Sequence, residues 1–227
     1  LQGYTNLKNA GCTTGITAVI GPHNETRFDE LVNWAIQLRP NTLGFCMPHG
    51  DNSNFAMKVS SFHNIHDQMI SAYAKLRIHG IKLVQVEQKL KRFIEGKTVP
   101  FDCKACGKRI VACPGGRFGI CEGAITRREL FHKKLTELNG DISAYKKSTP
   151  FNIVSCRSCI AYRICGGGCC YDKLTRYGRV DIADKYQCGL SINIAEYAIK
   201  YIADNLPLIY DSYILKSKDR ELLIETL

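Results

Sequence analysis

Four cysteines in the run Cys156-x2-Cys159-x5-Cys165-x3-Cys169 carry the clearest chemical signal in the sequence. Thiolates spaced this closely can surround a polynuclear metal centre, whereas local disulfides among all four would be strained. Three glycines separate Cys165 from Cys169. They allow the backbone to bend close to a cluster and to direct amide N–H groups at its sulfides. Cys188 lies 19 residues after Cys169, just ahead of a predicted helix.

A second group of cysteines precedes the first, and it consists of Cys103, Cys106, Cys113 and Cys121. The segment Pro114-Gly115-Gly116 lies within this group, between the runs KRIVAC and RFGIC. A Gly-rich turn between two such runs predicts a β-hairpin. The hairpin would separate the potential ligands along the chain and return one beside another.

The composition excludes several classes of protein. The chain has 227 residues, of which 45% are hydrophobic and 12 are cysteines, ten of these between Cys103 and Cys188. Disulfide-rich chains are usually short and poor in core, so clustered cysteines here favour metal binding or thiol chemistry.

The net charge of +10 comes from scattered Lys and Arg residues. Because they form no basic stripe, we expect no nucleic-acid partner, and an acidic peptide or an anionic cofactor fits better. No apolar run is long enough to span a membrane.

Residues 1–98 alternate between strand and helix signals. Short apolar runs at Ile16–Ile20, Thr42–Met47 and Ile81–Val84 predict strands, the first of them buried on both faces. Apolar residues at helical spacing follow each run, which indicates a parallel α/β arrangement. Three strands alone would leave both sheet edges exposed, so we expect a partner or preceding strands to complete the sheet.

The composition changes at Val99-Pro100, where Gly and Cys begin to dominate. A polar link is predicted at residues 139–149, and a C-terminal helix is predicted to end before Pro207. We therefore divide the chain into residues 1–98, a cysteine-rich domain at 99–190, and a C-terminal helical segment at 191–227.

The cysteine pattern resembles a known family. C-x9-G-x4-C, then C-x2-C-x5-C-x3-C, then a single Cys is similar to the SPASM domain, which follows the catalytic barrel of many radical S-adenosylmethionine (SAM) enzymes. The likeness covers about residues 100–190 and implies two auxiliary [4Fe–4S] clusters. Carried over, it implies that one cluster, auxiliary cluster I, is held by Cys103, Cys106, Cys121 and Cys169. It implies that the other, auxiliary cluster II, is held by Cys156, Cys159, Cys165 and Cys188. Cys113 competes with Cys103 as a ligand of cluster I.

The same resemblance implies a fold for residues 1–98. They look like the closing half of a partial (β/α)6 barrel, followed by a small α+β SPASM domain with a β-hairpin and C-terminal helices. The C-x3-C-x2-C loop that holds the SAM-cleaving cluster in that family does not occur in the 227 residues. We therefore expect this chain to be the C-terminal half of a longer or split enzyme. SAM and a third [4Fe–4S] cluster are expected only in the N-terminal half.

The hairpin region is similar to that of maturases of ribosomally made peptides, which build thioether or carbon–carbon crosslinks. Anaerobic sulfatase maturases share the architecture and place a carboxylate where this chain has Glu122. The resemblance therefore implies a catalytic base at Glu122, a precursor peptide as substrate, and flavodoxin or ferredoxin as electron donor. It also implies a cytoplasmic location, with no membrane partner.

Other residues remain candidates. His49 and Asn52 follow a predicted strand of the α/β half, where such folds bind ligands, so they are candidates for contact with SAM or substrate. A plain turn is the alternative. His63 and His66 lie three residues apart on a predicted helix and are expected to be ordinary surface or core histidines. Cys12, Cys46 and Cys170 fall outside the pattern, and Cys46 is expected to be buried in its strand.

Two other functions remain open. Cys103-x2-Cys106 and Cys156-x2-Cys159 could pair as a split four-thiolate zinc site in a non-catalytic module. A freestanding iron–sulfur electron carrier is the third alternative. Analysis of the bound metal would separate the zinc module from the two iron proteins.

Overall fold

The computed structural model describes residues 1–49 and 57–215, with side chains described up to residue 205. The strands are β1 (Gly15–Val19), β2 (Thr42–Cys46), β3 (Lys82–Leu83), β4 (Val111–Cys113) and β5 (Arg117–Gly119). The helices are α1 (Gln2–Asn9), α2 (Phe28–Leu38), α3 (Val59–Ile78), α4 (Val84–Ile94), α5 (Leu138–Tyr145), α6 (Tyr162–Cys165), α7 (Cys170–Tyr177) and α8 (Cys188–Leu215).

The first three strands form a parallel sheet in the order β1-β2-β3, with Gly15 opposite Thr42 and Thr42 opposite Lys82. The predicted strand–helix alternation is therefore confirmed. Burial of the first strand on both faces is wrong, because β1 lies at the sheet edge and every second residue is exposed. Val19, for example, is 51% exposed.

One apolar core joins this sheet to its helices. Helices α2, α3 and α4 contribute the faces that their sequence periodicity predicts, and their buried residues include Phe28, Val32, Ile65, Tyr73, Leu76, Val86 and Leu90. In β2 the central three residues are buried and Cys46 at its end is exposed. Burial of Cys46, expected from its apolar strand, is therefore wrong, since only the middle of β2 is covered.

Helix α8 connects the cysteine-rich segment to the α/β core. It begins at Cys188, and Leu190, Ile194 and Ala198 are buried among residues of that core. The helix continues through Pro207 to Leu215, so the predicted end before Pro207 is wrong. A proline removes one backbone hydrogen bond and crowds the preceding turn, which weakens a helix without forbidding its continuation.

The segment between α4 and α8 contains short elements. The predicted hairpin is confirmed as β4 and β5, paired antiparallel with Val111 opposite Gly119. The link predicted at 139–149 is instead mostly helix α5, because Leu138 and Tyr145 lie on the same helical face and are both buried. In the described part of the chain, no helix combines the length and apolar character needed to cross a membrane.

Candidate metal centres

Two cysteines of the four-cysteine run, together with the later Cys188 and glycines of the loop after Cys165, line one cavity. Cys156, Cys165 and Cys188 line this cavity, whose volume is about 150 Å³. Cys165 ends helix α6 and Cys188 begins helix α8, so the ends of two helices bring distant parts of the chain together. We call these three residues the cavity thiols.

The glycine loop closes one side of the cavity, since Gly167 and Gly168 line it. Gly166, Gly167 and Gly168 all have positive φ values, which L side chains rarely adopt. A Cβ at Gly166 would lie 2.5 Å from the backbone nitrogen of Asp102, and one at Gly167 would collide with the carbonyl oxygen of Ser148. The backbone can therefore follow this path only with glycine.

Two of the cavity thiols, Cys156 and Cys188, are poorly stabilised as thiolates without a cation. The pKa of Cys188 is raised to about 12, chiefly by burial and in addition by the nearby Cys165 and Cys156 thiols. Burial also raises the pKa of Cys156, with added contributions from Cys165 and Cys159. Cys159 therefore belongs to the same electrostatic group. A bound metal would remove this cost, because it stabilises the deprotonated thiol.

The second group has a more compact arrangement. The Sγ atoms of Cys103, Cys106 and Cys170 all lie within 4.8 Å of one another, and those of Cys106 and Cys170 are 3.7 Å apart. Cys170 is fully buried and Cys106 is 6% exposed. Both thiols donate to the carbonyl oxygen of Tyr145, at 3.5 Å from Cys106 and 3.7 Å from Cys170. We call Cys103, Cys106 and Cys170 the compact thiol group.

Cys121 and Cys169 lie near this group. Burial raises the pKa of Cys121, and the charge of Cys103 adds to the rise. Burial also raises the pKa of Cys169 well above its ordinary value, with contributions from Asp172, Cys103 and Cys121. Cys169 is the N-cap of helix α7 and its Sγ accepts a hydrogen bond from the Asp172 backbone N–H at 3.5 Å. Four ligands implied for cluster I thus lie in one region, with Cys170 as a fifth thiol.

His49 contacts the same region from the end of β2. Its Nδ1 lies 3.1 Å from Oδ1 of Asp172, and its ring packs edge-on against Tyr171 with the centroids 5.1 Å apart. The ligand atoms of His49, Cys169 and Asp172 lie within 4.8 Å of one another. His49 therefore joins the α/β half to the cysteine-rich segment. Asn52, the other candidate for contact with SAM or substrate, lies outside the described residues.

Glu122 directly follows Cys121 and is exposed at the surface, where it forms an ion pair with Arg109. An exposed carboxylate beside the second group is accessible to a large substrate. Cys113 packs with Cys121 and Cys169 against the small cluster of Ala124, Phe131 and Tyr171. Cys113 is therefore close to the implied ligands and remains a competitor of Cys103.

The two histidines of α3 have different environments. His66 is fully buried, and neither of its ring nitrogens has a hydrogen-bond partner. Nε2 of His63 lies 3.0 Å from the carbonyl oxygen of Lys185. Among the described residues, neither histidine belongs to a group of three potential metal ligands.

Charged side chains also line the cavity. Lys89 and Asp102 are among the lining residues, and Asp102 pairs with Lys89 at 3.0 Å and with Arg92, which lies outside the lining, at 2.8 Å. Burial opposes the charge of Asp102, but the two cations outweigh it and hold the pKa of this carboxyl below its ordinary value. Lys173 also lines the cavity, and it is only 1% exposed.

Sequence reasoning missed two residues of this region, Cys170 and Lys173. Cys170 lay outside the spacing pattern, and only the fold shows that it points toward Cys106. A lysine within a helix usually indicates a solvated surface, so no local pattern predicts that Lys173 is buried.

Comparison with known proteins identifies the fold. No family model matches the sequence, and no curated protein is similar to it at a significant level. A solved structure described as polyhistidine-tagged anSMEcpe with bound AdoMet matches with a TM-score of 0.66 and 13% sequence identity. The match covers 99% of this chain and 61% of that chain. The chain therefore has a mixed α/β fold similar to that of this AdoMet-bound structure and spans less than two thirds of its length.

The residues present fit iron–sulfur clusters. Thiolates are the donors that such clusters require, and the cavity thiols line a space of about 150 Å³ beside a backbone path that requires glycine. The compact thiol group also fits a single tetrahedral zinc ion, since the 3.7 Å separation suits two sulfurs bound about 2.3 Å from one metal. The donor set therefore supports metal at both places, and metal analysis decides its identity.

Proposed function

We propose that this chain is the auxiliary-cluster-bearing part of a radical SAM enzyme that modifies a ribosomally made peptide by forming a thioether or carbon–carbon crosslink. The observation that carries the proposal is the pair of thiol groups within a fold similar to that of an AdoMet-bound enzyme. SAM and the third cluster would be bound by the part of the enzyme that precedes these residues.

The cysteines of the two groups would hold the clusters. Cys156, Cys159, Cys165 and Cys188 would bind one, and Cys103, Cys106, Cys121 and Cys169 the other. Such clusters supply one-electron transfer when bound. The glycine loop brings backbone close to the first site, and helix α7 begins at Cys170, immediately after a ligand of the second.

The surface of the chain would bind the peptide. A net charge of +10 favours an acidic leader segment, because opposite charges accelerate encounter and strengthen binding at low salt. Glu122 is exposed beside Cys121, so a bound peptide could reach it. We propose that its carboxylate accepts a proton from the substrate once it separates from Arg109.

A second candidate function is maturation of a sulfatase. It is favoured by the fold similarity to anSMEcpe, an anaerobic sulfatase-maturating enzyme. The two candidates share the clusters and differ in the substrate and in the product.

The first experiment measures iron, sulfide and zinc in the full-length protein purified without oxygen. About eight iron and eight sulfide per chain, above those of a SAM cluster, would support two auxiliary [4Fe–4S] clusters. One or two zinc ions with negligible iron would overturn the proposal and leave a zinc module.

The second experiment distinguishes the two substrates. The protein is incubated with SAM, a one-electron reductant, and either a cysteine-containing precursor peptide or a sulfatase-derived peptide. A crosslinked product lacks two hydrogens and gives joined fragments in tandem mass spectrometry. Modification of the sulfatase peptide alone, without joined fragments, would favour the second candidate.

A further inference from the structure

Lys173 is a buried cation that lies one helical turn beyond the cysteines at the start of α7. Its side chain is 1% exposed and lines the cavity bounded by the cavity thiols. Its Nζ donates to Oγ of Ser148 at 2.8 Å and to the carbonyl oxygen of Val180 at 3.2 Å. Both of these acceptors are neutral.

The carboxylates near the cavity are paired with other cations. Asp102 is bound by Lys89 and Arg92. Asp184 is bound by Arg176 at 2.9 Å and accepts a hydrogen bond from the Tyr177 hydroxyl at 3.0 Å. Within the described part of the chain, Lys173 has no carboxylate at ion-pair distance.

Burial disfavours an ammonium that has no anion beside it, so a negative partner would stabilise Lys173 in its charged form. The nearby groups that can become anionic are the cysteines. The charge of Lys173 lowers the pKa of Cys156 against the larger effect of burial. It also acts on Cys106, whose pKa is raised chiefly by its hydrogen bond with Cys103. Lys173 is therefore within electrostatic reach of both thiol groups.

We propose that the Lys173 ammonium is the counter-charge of the cluster held by the cavity thiols and raises its reduction potential. This inference rests on the proposed function, since it requires an iron–sulfur cluster at that place. A four-thiolate [4Fe–4S] cluster is anionic and gains one further negative charge when it accepts an electron. A fixed positive charge in a poorly solvated site stabilises the reduced form more than the oxidised form. Lys173 thus acts on the reduction potential only through its charge and binds no iron.

The test is an EPR-monitored redox titration of the full-length protein, with dithionite as the one-electron donor. Lys173→Met and Lys173→Gln remove the charge, and Gln can still donate a hydrogen bond to Ser148. We expect both variants to retain iron. The equilibrium constant for one-electron reduction should be about tenfold lower, which corresponds to a reduction potential about 59 mV more negative. An unchanged potential in both variants would overturn the inference.

Two further variants separate charge from packing. Lys185→Met removes the same charge from an exposed position three residues before Cys188, and we expect no shift because water screens that charge. Lys173→Arg keeps the charge and should keep the potential near that of the wild type. If the neutral variants lose their clusters while Lys173→Arg retains them, charge compensation is supported. Loss from all three variants, or a shift in Lys173→Arg equal to that in Lys173→Gln, contradicts it.

The wild-type protein separates this inference from the proposed function. Absence of iron from the wild type overturns the proposed function and the inference with it. A wild type with full iron and an unshifted Lys173→Gln variant overturns only the role of Lys173.

Discussion

The α/β half and the cysteine-rich segment are stabilised in different ways. The half that contains β1 to β3 has a core of large side chains such as Phe28, Tyr73 and Leu76, all fully buried. In the segment between α4 and α8, a small core includes the thiols of Cys106 and Cys170 themselves. Burial of apolar side chains is the main stabilisation of the first core. The second region places thiols close together, several of them with pKa values raised by burial, an arrangement that a bound metal would stabilise.

Metal removal should give the largest difference between the two regions. Thiolate–metal bonds contribute about 10–16 kcal/mol in small zinc domains, so their loss should unfold a segment with little core of its own. We expect anaerobic chelation to abolish amide protection at residues 99–187 and to leave it at residues 15–94. Hydrogen exchange with mass spectrometry measures both. Unchanged protection in the cysteine-rich segment would show that the metal does not stabilise it.

Removal of a single ligand should halve the auxiliary iron. Cys188→Ala takes one of four thiolates from the first site, so we expect that cluster to be lost and the other to remain. Cys46→Ala is the matched control, because Cys46 is exposed at the end of β2. Iron and sulfide assays measure the change. Equal iron in Cys188→Ala and Cys46→Ala would exclude Cys188 as a required ligand.

A cavity in the α/β core should reduce stability without changing the iron content. Leu76 is 0% exposed, so Leu76→Ala should lower the free energy of unfolding by about 2–5 kcal/mol. Ile78, two residues later, is 84% exposed, and Ile78→Ala should change it by less than about 0.5 kcal/mol. Denaturant titration with metal analysis compares the pair. Loss of iron in Leu76→Ala would show that the two regions do not act separately.

Acid should act on the α/β half through His66. Burial lowers its pKa from 6.5 to about 4, and the charge of His63 contributes. Between these values the unfolded chain binds more protons than the folded one, so stability is full above pH 6.5 and falls as the pH drops toward 4. The loss is about 3 kcal/mol. His66→Leu should remove this dependence, while His79→Leu, at an exposed position, should retain it. Denaturation midpoints at several pH values measure the difference.

Much of the fold follows from local sequence patterns. The alternating strands and helices and the hairpin around Pro114–Gly116 were predicted, because apolar periodicity and turn residues act over short distances. Helix α5 was not, since its many polar residues concealed the buried pair Leu138 and Tyr145. The path of α8 through Pro207 was also missed, because a proline is a strong but not absolute signal for a helix end.

The sequence by itself determined which cysteines have the spacing of metal ligands and how that spacing divides them into two groups. It also contained the three glycines of the loop after Cys165. The structure gives them positive φ values, which other residues rarely adopt. Tertiary structure decided which thiols meet. It brought Cys188 to the cavity from the start of α8, placed Cys170 rather than Cys46 in the interior, and directed Lys173 inward. These outcomes depend on contacts between residues distant in sequence, and local patterns of charge and hydropathy contain no information about such contacts.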